Sequence, residues 1–145
     1  MDMEQLKQVS KEWHEAFGTD ALKDNYDKYL HENFKADFFG GQQVNKSDYI
    51  KQDQKFAKAL NPNKIVVIEQ VAEDNKVVSL MTWTATQIAD LPGMPTTNQS
   101  FTVKGFAIDY FENGKVINHF PLFDQFEMMK QLGIVPNNTV SHGDL

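Results

Sequence analysis

FTVKGFAIDYFENGKVINHFPLFDQFEMMKQLGIVP, residues 101–136, is the stretch whose reading decides the fold. Residues 101–112 read as a long, largely apolar strand. Asn113-Gly114 follows, the strongest two-residue hairpin signal in the chain, because such turns need positive φ at both central residues. Residues 115–123 read as the returning strand and 125–132 as a short helix stopped by Gly133. A single carboxylate, Asp124, stands at the strand-to-helix junction after a mostly apolar run. A carboxylate there is either a helix cap or an acid/base group at the mouth of a pocket.

Upstream, residues 64–73 and 76–88 read as two more strands joined at Asp74-Asn75. The second places Thr82, Thr84 and Thr86 on one face and Met81, Trp83, Ala85 and Gln87 on the other. A proline-bearing loop leads from residue 91 to the strand at 101. Before residue 64 the period is helical. Leu6, Val9, Trp13 and Phe17 form one stripe ended by Gly18, and Leu22, Tyr26, Tyr29 and Leu30 predict a second helix. Residues 34–39 form a short apolar segment. Asn45 starts a third helix carrying Tyr49, Ile50, Phe56 and Leu60, stopped by Asn61-Pro62-Asn63. Helices followed by a meander of long strands predict an α+β fold. The expected form is a curved antiparallel sheet wrapped around the N-terminal helices as a cone, with a central pocket. Residues 1–136 are expected to make one domain, and 137–145 a polar, disordered tail.

Composition narrows the function. The 145 residues suit one domain with a real core, and eleven Phe make that core aromatic. The net charge is −6 and all fourteen basic residues are Lys. A chain without Arg lacks the planar fork that grips phosphate, and an acidic surface opposes nucleic-acid binding. No apolar run is long enough for a membrane span, and the acidic N-terminus does not read as a signal peptide. Cysteine is absent, so thiolate chemistry and disulfides are excluded. A cytoplasmic protein with a small apolar or neutral ligand is expected. His14, His31, His119 and His142 show no metal-ligand spacing, and no phosphate loop or dinucleotide fingerprint occurs. Neither a metal nor a cofactor is expected.

Six segments in order carry a family resemblance: TWTATQ (82–87), GMPTT (93–97), FTVKG (101–105), ENGKV (112–116), HFPLFD (119–124) and QLGIVP (131–136). They resemble the SnoaL-like polyketide cyclase (ester cyclase) family, within the nuclear-transport-factor-2-like fold. The likeness is good over residues 82–136 and extends to the N-terminal half in layout only. Three positions depart from the family pattern: Gln87 and Asp37 stand where His is frequent, and Phe120 where Trp is common. The resemblance implies a cone with a pocket and a cofactor-free enzyme that moves protons next to a carbonyl in cyclisation or isomerisation; the exposed face of the curved sheet is expected to pair two protomers as a homodimer. In the cyclases the Asp corresponding to Asp124 handles the protons of an intramolecular aldol closure. Hydrolysis or dehydration in the same pocket is a more distant option.

The candidate residues each have two readings. Asp124 is the acid/base group if its apolar neighbours raise its pKa. It is an N-cap if it bonds the backbone of Glu127 in a capping-box-like spacing. His119 is a proton shuttle if a bulge near Pro121 brings it onto the face of Asp124; otherwise strand parity puts it at the surface or an interface, the preferred reading. Trp83 is read as inward and Gln87 as a pocket hydrogen-bond donor. Tyr26 is the hydroxyl that could join Gln87 at an enolate oxygen, and Phe106 and Phe120 are expected to shape the pocket. Asp109 is read as solvent-facing in preference to a second pocket acid. The alternative for the whole chain is a non-catalytic ligand-binding or interaction domain with Asp124 only a cap.

Overall fold

Six strands form one sheet in the order β2-β1-β6-β5-β4-β3, in a computed structural model that describes residues 1–38 and 42–134. The tail expected at 137–145 lies outside the described residues. The strands are β1 (Leu30–Phe38), β2 (Gln42–Asn45), β3 (Leu60–Glu73), β4 (Lys76–Gln87), β5 (Ser100–Glu112) and β6 (Lys115–Phe123). The helices are α1 (Met3–Glu15), α2 (Asp20–Lys23), α3 (Lys46–Ala59) and α4 (Gln125–Gln131), with a 3-10 turn at Tyr26–Lys28. The fold is α+β. The sheet is mixed, because β1 pairs parallel to β6 while the other pairs are antiparallel. Among the described residues, no helix is long and apolar enough to cross a membrane.

The hairpin turns form where their chemistry places them. Asn113 and Gly114 both adopt positive φ, 53° and 77°, and Asp74 does so at 55°. α1 starts with a full capping box: the Asp2 side chain accepts from the Gln5 N–H at 2.8 Å, and the Asp2 N–H reaches back to Gln5 at 2.9 Å. The expected second helix is much shorter than its stripe suggests. Only Asp20–Lys23 is α-helical, and Tyr26 and Tyr29 are buried from the 3-10 turn instead. Four-residue spacing alone does not continue a helix when the Asn25 side chain takes the Ala21 carbonyl, at 2.9 Å.

Along β4 and β5 the odd-numbered residues point inward, as burial alternates residue by residue. β6 needs a correction to that count. Tyr110 pairs with Asn118 but Phe111 with Val116, so Ile117 is an extra residue. The bulge brings Val116 and His119 onto the same inner face, although they stand three positions apart. It lies upstream of His119 and not at Pro121, where the sequence suggested one.

Two apolar clusters fill the inner side. One holds Trp13, Leu22, Phe34 and Tyr49 with Phe111 and Val116; the other holds Phe56, Met81, Trp83, Phe101, Val103 and Met128. Gly105 lets the second close. A Cβ there would sit 2.3 Å from the Phe123 ring and 2.8 Å from the Leu122 carbonyl oxygen, so the ring lies over bare backbone. Gly105→Ala is therefore expected to destabilise the fold by about 1–3 kcal/mol, the range for overpacking, read as a lower urea midpoint with unchanged slope.

Candidate active site

The seam between the two clusters holds a cavity of about 220 Å³. Trp13, Leu22 and Tyr49 line it from one cluster, and Phe56, Met81 and Trp83 from the other. Phe17, Ile65, Pro121 and Phe123 complete its apolar wall. Trp83 is held in place by its indole N–H, which donates to Asn63 Oδ1 at 2.7 Å. Besides the Tyr49 phenol, four titratable side chains reach the cavity: His14, Asp37, Asp53 and His119.

Behind them lies Asp109, wholly buried on the inner face of β5. Its Oδ1 is 2.6 Å from His119 Nδ1, and its Oδ2 is 2.8 Å from His14 Nε2. Ser10 Oγ donates to the same Oδ2 at 2.6 Å. Three donors thus surround one anion, as a buried carboxylate requires. Burial pushes the Asp109 carboxyl up, but the charges and hydrogen bonds of His14 and His119 outweigh it and hold it far below the usual range. Burial also holds His119 below its ordinary value, against the opposite pull of Asp109. Burial thereby favours the neutral form of His119. A neutral imidazole facing a carboxylate through Nδ1 donates from Nδ1, which leaves the lone pair on Nε2. Trp13, Phe34 and Tyr49 wall the His119 ring at centroid distances of 4.6, 6.4 and 5.9 Å.

A second polar group sits on the α3 wall. The Tyr26 hydroxyl donates to Asp53 Oδ2 at 2.6 Å, and Tyr49, one helical turn before Asp53, also hydrogen-bonds its carboxylate. Burial pushes the Asp53 carboxyl up to about 6, even against these donors and His14. Burial and the adjacent Asp53 raise both phenols, so they remain donors.

Several expectations change. Asp124 is exposed, and its Oδ1 accepts the Glu127 backbone N–H at 3.0 Å. It caps α4 at the rim of the cavity, while its neighbours Phe123 and Gln125 line it. His119 is buried in the cavity wall and not at a surface, because the Ile117 bulge resets its parity. Asp109 is buried and not solvent-facing, as the parity it shares with Val103 and Ala107 requires. Phe106, at 53% exposure, lies on the outer face of the sheet. Phe120 packs there against Tyr110, at 5.8 Å between centroids. Both are even-numbered residues opposite the inward set. Gln87 is buried but serves the loop after β4: its Nε2 donates to the Met94 carbonyl at 2.7 Å, and its Oε1 accepts from Thr97 at 3.1 Å. Tyr26 is tied to Asp53 and acts behind the cavity wall. Trp83 lines the cavity. The sequence reading missed Ser10, His14 and Asp53. Ser10 and His14 are one turn apart on the apolar stripe of α1, flanking Trp13, and two polar residues on such a stripe are the available signal.

His14, Asp109 and His119 also offer three ligand atoms within 4.8 Å of one another. The carboxylate is, however, already in hydrogen-bond contact with both imidazoles, and a metal would have to replace those bonds. The donor set fits a hydrogen-bonded triad better than a coordination sphere.

The sequence model of the SnoaL-like polyketide cyclases matches residues 7–132. TsrD from Streptomyces laurentii has the same fold with a TM-score of 0.81 at 19% identity, over 93% of this chain and 99% of that one. A protein of Jannaschia sp. CCS1 assigned to the SnoaL-like polyketide cyclases gives 0.78 at 19% identity, over 92% and 94%. IdmH from Streptomyces antibioticus, assigned as a polyketide cyclase, gives 0.77 at 16% identity, over 89% and 99%. At these identities the likeness is one of fold. No curated protein sequence matches the chain.

The two aspartates separate cleanly by substitution. Asp124→Ala is expected to cost about 0.5–2 kcal/mol, the value of a cap, and to leave the imidazole NMR signals of His119 unmoved. Asp109→Asn is expected to cost about 3–5 kcal/mol, because it removes the charge from a buried paired site, and to shift those signals. Urea denaturation at pH 7 with histidine NMR spectra checks both.

Proposed function

The chain belongs to the SnoaL-like polyketide cyclase family, and from that premise we propose that it is a cofactor-independent acid/base enzyme acting on a small apolar carbonyl compound. The reaction is proton transfer at the carbon next to the carbonyl, leading to cyclisation or isomerisation. The observation that carries this reading is the Asp109–His119 pair, 2.6 Å apart, with the imidazole in the wall of an apolar cavity. His119 is the general base through Nε2. Asp109 is a positioning residue that fixes the tautomer and steadies the imidazolium formed during the reaction. Ser10 and His14 meet the other oxygen of Asp109 with hydrogen bonds, so that the carboxylate is committed to its partners and is not itself the reacting group. The apolar walls exclude water and favour a neutral substrate. Asp124, whose carboxylate is committed to α4, has no part in the proton transfer.

The working form is proposed to be a cytoplasmic homodimer. The outer face of the sheet supports the dimer, with Leu122 at 78% exposure opposite Phe106 at 53%, an apolar pair of the kind that is covered in oligomers.

Hydrogen–deuterium exchange at the α-carbon of 1-tetralone, 2-tetralone and ethyl benzoylacetate tests the reading by NMR in D2O. The protein is expected to speed exchange of at least one of them, and His119→Gln to lose about 10²–10⁴-fold of that rate. Binding without acceleration of any of the three would leave the non-catalytic binding domain as the function.

A further inference from the structure

Asp53 is the one buried acid of the cavity that this mechanism does not use. We propose that Asp53 is a catalytic residue which, in its protonated form, donates a hydrogen bond to the substrate's carbonyl oxygen, so that the substrate is a neutral ketone or 1,3-dicarbonyl compound. The proposal rests on the His119 reading for the base and adds the acid. Asp53 lies inside α3 with its carboxyl in the cavity wall. Its hydrogen-bond partners Tyr26 and Tyr49 are neutral. Among the described residues no Lys forms an ion pair with it. If its task were only to tie α3 to the 3-10 turn, a neutral amide would accept the phenol hydrogen bond without the cost of a buried charge. Burial raises the carboxyl in this setting to about 6, so that a protonated fraction persists towards neutral pH. The two phenols fix its orientation, since each donates to it and neither can accept its proton as readily as a carbonyl placed in the cavity.

The proton step balances. His119 Nε2 removes the proton on the α-carbon. The C–H electron pair becomes the new C=C bond, and the C=O pair moves to oxygen, which takes the proton of Asp53. The products are the enol, an imidazolium on His119 and a carboxylate on Asp53. In a conjugated dienol, return of the His119 proton to the γ-carbon, while the enol O–H gives its proton back to Asp53, gives isomerisation; attack of the enol carbon on a second carbonyl, whose oxygen takes the His119 proton while the enol O–H gives its proton back to Asp53, gives cyclisation.

The groups facing Asp53 are Tyr26 from the 3-10 turn, Tyr49 from its own helix and His14 from α1, with His119 and Asp37 farther around the cavity. The test uses 1-tetralone, which accepts hydrogen bonds and has no titratable group, with binding read from tryptophan fluorescence between pH 5 and pH 8. Its affinity for the native protein is expected to fall about tenfold per pH unit above pH 6, following loss of the carboxyl proton. His119→Gln is expected to keep that slope, which separates Asp53 from the base. Asp53→Asn is expected to bind with no slope, because an amide N–H donates at every pH, and Asp53→Leu to bind weakly throughout. The carboxyl ¹³C signal of Asp53 in the native protein, titrated with and without 1-tetralone, is expected to show a higher pKa with ligand. A flat native profile, no binding at pH 5, a slope that survives in Asp53→Asn, or a carboxyl titration indifferent to ligand would each overturn the proposal. Loss of α-exchange in His119→Gln alongside any of these results would leave the base in place and remove only the acid.

Discussion

Asp109 is an anion with no solvent contact, and the arrangement of the inner face follows from satisfying it. Its two oxygens take donors from three places: Ser10 and His14 one turn apart on α1, and His119 on β6. An unpaired carboxylate in that position would be costly enough to unfold a domain of ordinary stability. The demand therefore fixes the rotation of α1 about its axis, since only one orientation presents Ser10 and His14 to β5. It also fixes the register of β6, since the Ile117 bulge must sit between Val116 and His119 for the imidazole to face inward. One electrostatic requirement thus ties helix, sheet and bulge together, and the cavity is the space left in front of it.

The cavity's chemistry follows from where its polar groups hang. His119 and Asp109 belong to the sheet and Asp53 to α3, and the apolar seam runs between them. Burial acts on the two titratable groups in opposite senses. It pushes the imidazole of His119 down, towards a free base, and the carboxyl of Asp53 up, towards a free acid. Low dielectric favours the neutral form of each, and neutral forms are what a base and an acid need before a proton moves.

The elements were largely legible in the sequence, and the site was not. Alternation in residues 76–88 and the largely apolar run of 101–112, together with Asn113-Gly114, located the strands, because period and turn chemistry are local properties. The parallel pairing of β1 with β6 and the shortness of α2 depend on tertiary partners and left no local mark. Asp124 attracted attention because its junction is visible as a pattern, and that same pattern is a cap. Asp109 was on the correct parity, beside Val103 and Ala107, but a lone carboxylate in a strand reads as solvent-facing until its partners are known. Two of those partners, His14 and Ser10, lie 95 and 99 residues away in the chain, a separation that no motif spans. The bulge at Ile117 hid His119 in the same way, since one extra residue reverses every inference drawn from alternation.

The seam position of the cavity has a consequence for how the protein can change. The residues that shape its apolar wall, such as Ile65, Met81 and Phe56, belong to the core clusters, while the proton-handling groups are anchored by their own hydrogen bonds at the edge of those clusters. A change of volume in the wall alters which carbon skeleton fits without moving the nitrogen or the carboxyl that meet it. Shape and reactivity are therefore inherited through different residues. A lineage of such proteins could diversify in the molecules it accepts while keeping a single proton relay intact.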